Sequence, residues 1–261
     1  MKIRKSCFSG SFYPSNKKEL LKYIEYFNNT NSKKSSFKTI KAIISPHAGY
    51  VYSGFTANLA YKIASKEEFT RIVVIGPSHR VYLKGASVSL YEEYETPFGN
   101  LKIDLEYSKK LIQEFNFLDF NKECDFEHST ETQAPFIKHY FNNSYFVEII
   151  YGDIDYKNLV KVIERVLKDN KTLVVISSDL SHFYTQDRAI ELDNICLNAI
   201  ERQDLNLFDY CEACGKTGIK AIVEYSILND FKAKVLHYCT SADFSKDENR
   251  VVGYTSAIIG K

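Results

Sequence analysis

No run of the 261 residues approaches the ~18 consecutive apolar side chains of a membrane-spanning helix, so no membrane partner is expected. An excess of charge of one sign is missing too. With 34 basic against 33 acidic side chains the net charge is +1, which leaves no global electrostatic footprint for nucleic acid. No internal repeat and no low-complexity tract occurs, which excludes solenoids and disordered arrays. The segment Met1–Pro14 holds no apolar stretch of signal-peptide length, so the expected compartment is the cytoplasm. There the six cysteines, Cys7, Cys124, Cys196, Cys211, Cys214 and Cys239, are expected mostly as thiols rather than as a disulfide framework. The G-x-S-x-G elbow, the Walker A loop, G-x-G-x-x-G and H-E-x-x-H are all absent, so hydrolase, NTPase and dinucleotide chemistry lose their usual carriers.

What is present is 44% apolar residues arranged with clear periodicity. Continuous β-branched runs at Ile40–Ser45, Arg71–Gly76, Tyr145–Tyr151, Thr172–Ser177, Ala233–Tyr238 and Arg250–Ile259 predict central strands covered on both faces. Helical period marks Lys17–Phe27, Thr56–Ala64, Asp104–Phe115, Tyr156–Lys168, Arg188–Ile200 and Ile219–Leu228. This alternation predicts an α/β fold, a three-layer α/β/α sandwich around a mostly parallel sheet. The polar connection between the last two strands predicts an antiparallel hairpin, making the sheet mixed. The polar stretch Asn28–Lys38 reads as an exposed loop, and residues 1–261 as a single domain.

Three of the six histidines follow the ends of strand patterns, in Ser45-Pro46-His47, Gly76-Pro77-Ser78-His79 and Ser177-Ser178-Asp179-Leu180-Ser181-His182. Ligands of open α/β sheets bind outside the carboxyl ends of the strands, so these imidazoles are expected at one edge. Cys214 precedes a helical pattern, where main-chain N–H groups are expected to favour the thiolate. Its Cys211-x-x-Cys214 spacing has three readings. A structural zinc site lacks a second pair, and a redox pair would be expected directly after a strand. The third reading is a single functional Cys214 with Cys211 incidental. Glu127-His128-Ser129 forms a further polar cluster, His128 being a candidate catalytic group. Thr130 and Gln133 fit a capping box for a short helix over Ala134–His139. His139 and His237 are assigned no role.

With these motifs assembled, the chain resembles the Memo family, whose prokaryotic members are known as AmmeMemoRadiSam system protein B. The resemblance runs nearly end to end. It rests on Gly10-Ser11-Phe12-Tyr13-Pro14, Ser45-Pro46-His47-Ala48-Gly49-Tyr50, Gly76-Pro77-Ser78-His79, Thr96-Pro97-Phe98-Gly99 and Glu127-His128-Ser129. Ser177-Ser178-Asp179-Leu180-Ser181-His182, Cys214-Gly215, Thr240-Ser241-Ala242-Asp243 and Val251-Val252-Gly253-Tyr254 complete it. That family is similar in fold to the class III extradiol dioxygenases, non-haem iron(II) enzymes that hold iron with two histidines and a carboxylate. The resemblance implies His47, His79 and Cys214 as metal ligands, His182 as acid/base, and Asp179 orienting it or lining the pocket. Cysteine in place of the carboxylate softens the donor set, so copper(I) or zinc joins iron(II) as a candidate ion. The implied function is a metal-dependent redox or dioxygenase-like enzyme. The alternative is a non-catalytic adaptor that binds a metal or peptide in the cleft. Implied partners are a small-molecule or peptide ligand, a radical-SAM enzyme and an AMMECR-type protein.

Overall fold

The computed structural model describes residues 2–30, 35 and 37–261. Of the expected loop Asn28–Lys38, residues 31–34 and 36 lie outside the described residues. The chain runs through β1 (Ile3–Arg4), α1 (Lys17–Asn29), β2 (Ile40–Ser45), α2 (Tyr50–Ala64), β3 (Arg71–Pro77), β4 (Ala86–Val88), β5 (Glu93–Tyr94) and β6 (Leu101–Lys102). It continues with α3 (Leu105–Glu114), β7 (Leu118–Asp119), α4 (His128–Glu131), α5 (Ala134–Tyr140), β8 (Tyr145–Tyr151), α6 (Tyr156–Leu167) and β9 (Thr172–Ser177). The last elements are β10 (His182–Tyr184), α7 (Gln186–Glu201), α8 (Lys216–Leu228), β11 (Lys232–Thr240), α9 (Ala242–Ser245) and β12 (Val251–Gly260).

The large sheet has the order β10-β12-β2-β9-β3-β8-β4-β7, with β11 pairing β12 outside that path. Its centre, β2-β9-β3-β8, is parallel throughout. The β11–β12 hairpin is antiparallel as expected, and β12 joins β2 antiparallel, so the sheet is mixed.

Alternation of side chains across the pleat explains why the central strands carry apolar residues toward both faces. Ala42, Ile44, Val73, Ile75, Val174 and Ile176 face a core built with α6, α7 and α8. Ile43, Ile72, Val74, Leu173 and Val175 face the opposite way, into a core built with α1, α2 and α5. The result is the three-layer α/β sandwich. Among the described residues no helix is long and apolar enough to cross a membrane.

The expected capping box at Thr130 and Gln133 does not form. Gln133 makes no side-chain cap at α5, and α4 precedes it instead, capped by Glu127 through the Ser129 N–H. Thr130 and Gln133 are buried, and their polar atoms go to tertiary partners: Thr130 Oγ1 donates to Glu148 Oε1 at 2.6 Å. The cysteines also differ from expectation in one pair. Cys196 on α7 is joined to Cys211 by a disulfide across 15 residues, so Cys211 is not incidental. Spacing could not reveal this, because the pairing depends on α7 lying beside the turn that precedes α8. Cys7, Cys124, Cys214 and Cys239 are free thiols.

A second, small sheet of order β1-β5-β6 carries the N-terminus to the main body. Arg4 is 1% exposed and pairs with the buried Glu131 carboxylate, its guanidinium lying 4.5 Å from the centre of the Tyr94 ring. Glu131 also accepts the N–H groups of Cys7 and Phe8, at 2.9 and 2.7 Å, and the Tyr13 hydroxyl at 2.9 Å. One carboxylate thus gathers the whole segment. Removing its cation leaves an uncompensated buried charge. Arg4→Met should therefore cost about 3–5 kcal/mol, read as a lower urea midpoint. Adding Glu131→Gln should recover part of the loss. A single variant as stable as the parent would refute the assignment.

Candidate metal centre

Three neighbouring parallel strands deliver the site. His47, Asp179 and His79 each lie two residues beyond the end of β2, β9 and β3 respectively. Because β9 lies between β2 and β3, the three turns converge at the carboxyl edge of the sheet. His47 is 1% exposed. Its main-chain N–H donates to Asp179 Oδ1 at 2.7 Å, and its Nδ1 lies 2.9 Å from Ser177 Oγ. Burial, then the neighbouring His79 and His128, push its pKa well below the ordinary imidazole value, so the ring is neutral.

His79 is held by Glu127. The carboxylate accepts the His79 main-chain N–H at 2.6 Å and faces Nδ1 at 3.0 Å. An ionised carboxylate only accepts, so Nδ1 carries a proton and donates it to Glu127. Glu127 is 1% exposed. Burial pushes its carboxyl up. The imidazoles of His128 and His79 and the N–H groups of His79 and Ser129 outweigh that, holding it well below the usual carboxylate range. His128 Nδ1 sits 3.1 Å from the same Oε1, at ion-pair distance without hydrogen-bond alignment.

The imidazoles form one cluster. A ligand-capable atom from each of His47, His79 and His128 lies within 4.8 Å of the other two. Ring centres are 5.1 Å apart for His47 and His79, 5.3 Å for His47 and His128, and 4.6 Å for His79 and His128. Phe8 and Phe12 pack against His128 at 5.7 and 5.0 Å, so the N-terminal segment walls the cluster.

Cys214 stands against His47, with Sγ 3.3 Å from Nε2. Its sulfur also receives the Asp179 N–H at 3.3 Å. The expected thiolate is not what this environment favours. Burial, then the Asp179 charge, push the thiol pKa up, outweighing the N–H groups near the helix start. Asp179 is itself pushed up by burial, against the N–H of His47. Its carboxylate faces His47, with Oδ2 4.0 Å from Nε2. His182 is near but separate. It lines a polar pocket of about 320 Å³ with Ser181, Glu212, Cys214 and Lys216, and Cys214 belongs both to this pocket and to the contact with His47.

Of the residues singled out from sequence, His47, His79 and His128 come together, Cys214 and Asp179 contact His47, and His182 lines the adjoining pocket. Glu127 and Ser177 were given no role from sequence, and Gln133 only that of a helix cap, which it does not fill. Glu127 had one signal, its place beside His128 in a cluster noticed for its polarity.

Comparison with known proteins matches residues 4–258 to the family model described as Memo-like protein. A MEMO1 family protein of Methanococcus vannielii is 36% identical, covering 98% of this chain and 99% of its own. Others from Aquifex aeolicus and Thermoplasma volcanium are each 32% identical, covering 99% and 98% of this chain and 99% and 98% of their own.

The turn bearing Cys214 is packed too tightly for a side chain at the next position. A Cβ on Gly215 would lie 2.5 Å from Ser178 Cβ and 2.6 Å from the Ser177 carbonyl oxygen, while the Gly215 N–H donates to Ser178 Oγ at 2.9 Å. Gly215→Ala should cost about 1–3 kcal/mol, seen as a lower urea midpoint. An unchanged midpoint would mean that this turn is not packed against β9.

Proposed function

The chain belongs to the Memo family, and from that premise we propose that it binds a transition-metal ion, iron(II) first, through His47, His79 and Cys214. It would act as a metal-dependent redox or dioxygenase-like enzyme on a small phenolic or other oxidisable molecule. The observation that carries this reading is the convergence of three imidazoles at one sheet edge, with a thiol 3.3 Å from one of them.

The donor types suit such an ion, since imidazoles and a thiol that deprotonates on binding can hold iron(II), copper(I) or zinc. The three donors within 4.8 Å of one another are His47, His79 and His128, and Cys214 meets this cluster through its contact with His47. Buried charge supports a cation as well. The only ion-pair partners of the Glu127 carboxylate among the described residues are the imidazoles of His79 and His128, and no Lys or Arg is within ion-pair distance of it. A bound ion would supply Lewis acidity and an electron-transfer centre. The side chains do the rest. Glu127 orients His79, and Phe8 and Phe12 exclude water beside His128. His182, in the adjoining pocket, would accept or donate the substrate proton, with Lys216 and Glu212 lining the approach. The compartment would be the cytoplasm, and the protein would work beside a radical-SAM enzyme and an AMMECR-type protein.

A second reading is the non-catalytic adaptor that binds a metal or peptide in the cleft, and the surface that favours an adaptor lies outside that cleft. An apolar groove of about 520 Å³ lies between α1, α2 and α9, lined by Tyr23, Tyr26, Phe27, Val51, Phe55 and Phe244.

Anaerobic titration of the reduced full chain with iron(II) and copper(I) separates the two. One-to-one binding should be lost, at least 100-fold weaker, in both His79→Ala and Cys214→Ala. Glu127→Gln should weaken it about 10–100-fold, because a ligand's orienting partner is removed. Binding indifferent to both ligand substitutions would sink the metal centre and leave the adaptor.

A further inference from the structure

We infer that Ser177, held by Gln133, is the positioning residue that fixes His47 in the tautomer protonated on Nδ1, leaving Nε2 free to face the cluster. This rests on the metal-centre reading for its purpose but not for its proof. The contact between His47 Nδ1 and Ser177 Oγ at 2.9 Å could be read either way, since a hydroxyl both donates and accepts. Two main-chain carbonyls, which only accept, remove the ambiguity.

The Pro46 carbonyl oxygen lies 2.9 Å from the Gln133 side-chain nitrogen, which orients the amide with Nε2 toward Pro46. The reversed amide would set two acceptors against each other. Its other oxygen, Oε1, then accepts the Tyr61 hydroxyl at 2.9 Å. The second N–H on Nε2 donates to Ser177 Oγ, also at 2.9 Å. Ser177 Oγ lies 2.5 Å from the Ser129 carbonyl oxygen, a distance that two oxygens reach only with a proton between them. The single hydroxyl proton is therefore committed to Ser129. One lone pair of Oγ takes the Gln133 N–H, and the other is left for His47, which must donate from Nδ1. Ser177, Ser129 and Gln133 are fully buried, so no solvent competes.

The consequence reaches the cluster. Nε2 carries the lone pair, and the Cys214 thiol at 3.3 Å donates its proton there. That shared position between Nε2 and Sγ is where an ion would replace a proton. His79 likewise donates from Nδ1, to the Glu127 carboxylate. His47 donates to an uncharged relay, so the two imidazoles are held through the same atom by acceptors of different charge.

The test is nitrogen-15 NMR of histidine-labelled, metal-free full chain. The His47 signals are assigned by their loss in His47→Gln. The wild type should give a pyrrole-type Nδ1 and a pyridine-type Nε2 for His47, and Ser177→Ala should give a mixture of tautomers. Zinc, the diamagnetic probe, should bind Ser177→Ala about tenfold or more weakly. A wild-type His47 protonated on Nε2 overturns the inference whether or not the variant folds. So does a variant that keeps the pure Nδ1 tautomer and full zinc affinity. If the wild type shows the expected tautomer yet takes up neither zinc nor iron(II), the inference stands and the metal reading fails.

Discussion

A single ionised carboxylate, Glu127, buried where water cannot solvate it, fixes most of what surrounds it. Such a charge is tolerated only when every lone pair is occupied, and donors must come from several parts of the chain. Glu127 draws in the turn after β3 through the main-chain N–H and the ring Nδ1 of His79, and caps α4 through the N–H of Ser129. It also stands beside His128. Turn, short helix and two imidazoles thus share one acceptor. A four-residue helix has little stability of its own, so α4 exists because this carboxylate and the β3 end hold it. The orientation of His79 is a by-product of satisfying a charge.

A second buried carboxylate repeats the logic one helical turn later. Glu131 takes the Arg4 guanidinium, two N–H groups and a tyrosine hydroxyl, and so pins residues 4–13 over the edge of the sheet. Phe8 and Phe12 then lie on His128. Both faces of α4 are therefore used, one for the imidazoles and one for the strap that covers them. Fold and site are coupled here, since removing the strap's anchor exposes a histidine as well as a core.

The architecture was legible because burial on both faces leaves a signature that needs no partner: β2, β8 and β9 have the residue bounds that their β-branched runs predict. His47 and His79 were legible because strand ends in an α/β sheet point to one edge. What was hidden depended on contacts between distant residues. Gln133 has the spacing of a cap, yet its amide serves Pro46 and Ser177, 87 and 44 residues away. Cys211 reads as part of a pair with Cys214, but its partner is Cys196. The helix start near Cys214 suggested a thiolate, and only burial beside Asp179 reverses that. Local pattern gives element and edge, while proton positions need the tertiary hydrogen-bond count.

That count also bears on the kind of ion the centre would accept. His47 enters as a neutral donor, because burial and the neighbouring imidazoles push it well below the ordinary value. The fixed charge is negative and comes from Glu127, while Asp179 is pushed by burial toward its neutral form. Binding would convert the Cys214 thiol to a thiolate, adding one more negative charge. A divalent ion with that thiolate and Glu127 would then close near neutrality, in a cavity that penalises any excess of either sign. A monovalent ion would leave one negative charge unbalanced, and a trivalent ion one positive. On the proposed reading, charge balance would therefore favour the divalent state, and on this ground iron(II) or zinc would suit the buried cluster better than copper(I), although softness alone would favour copper(I) at a thiolate.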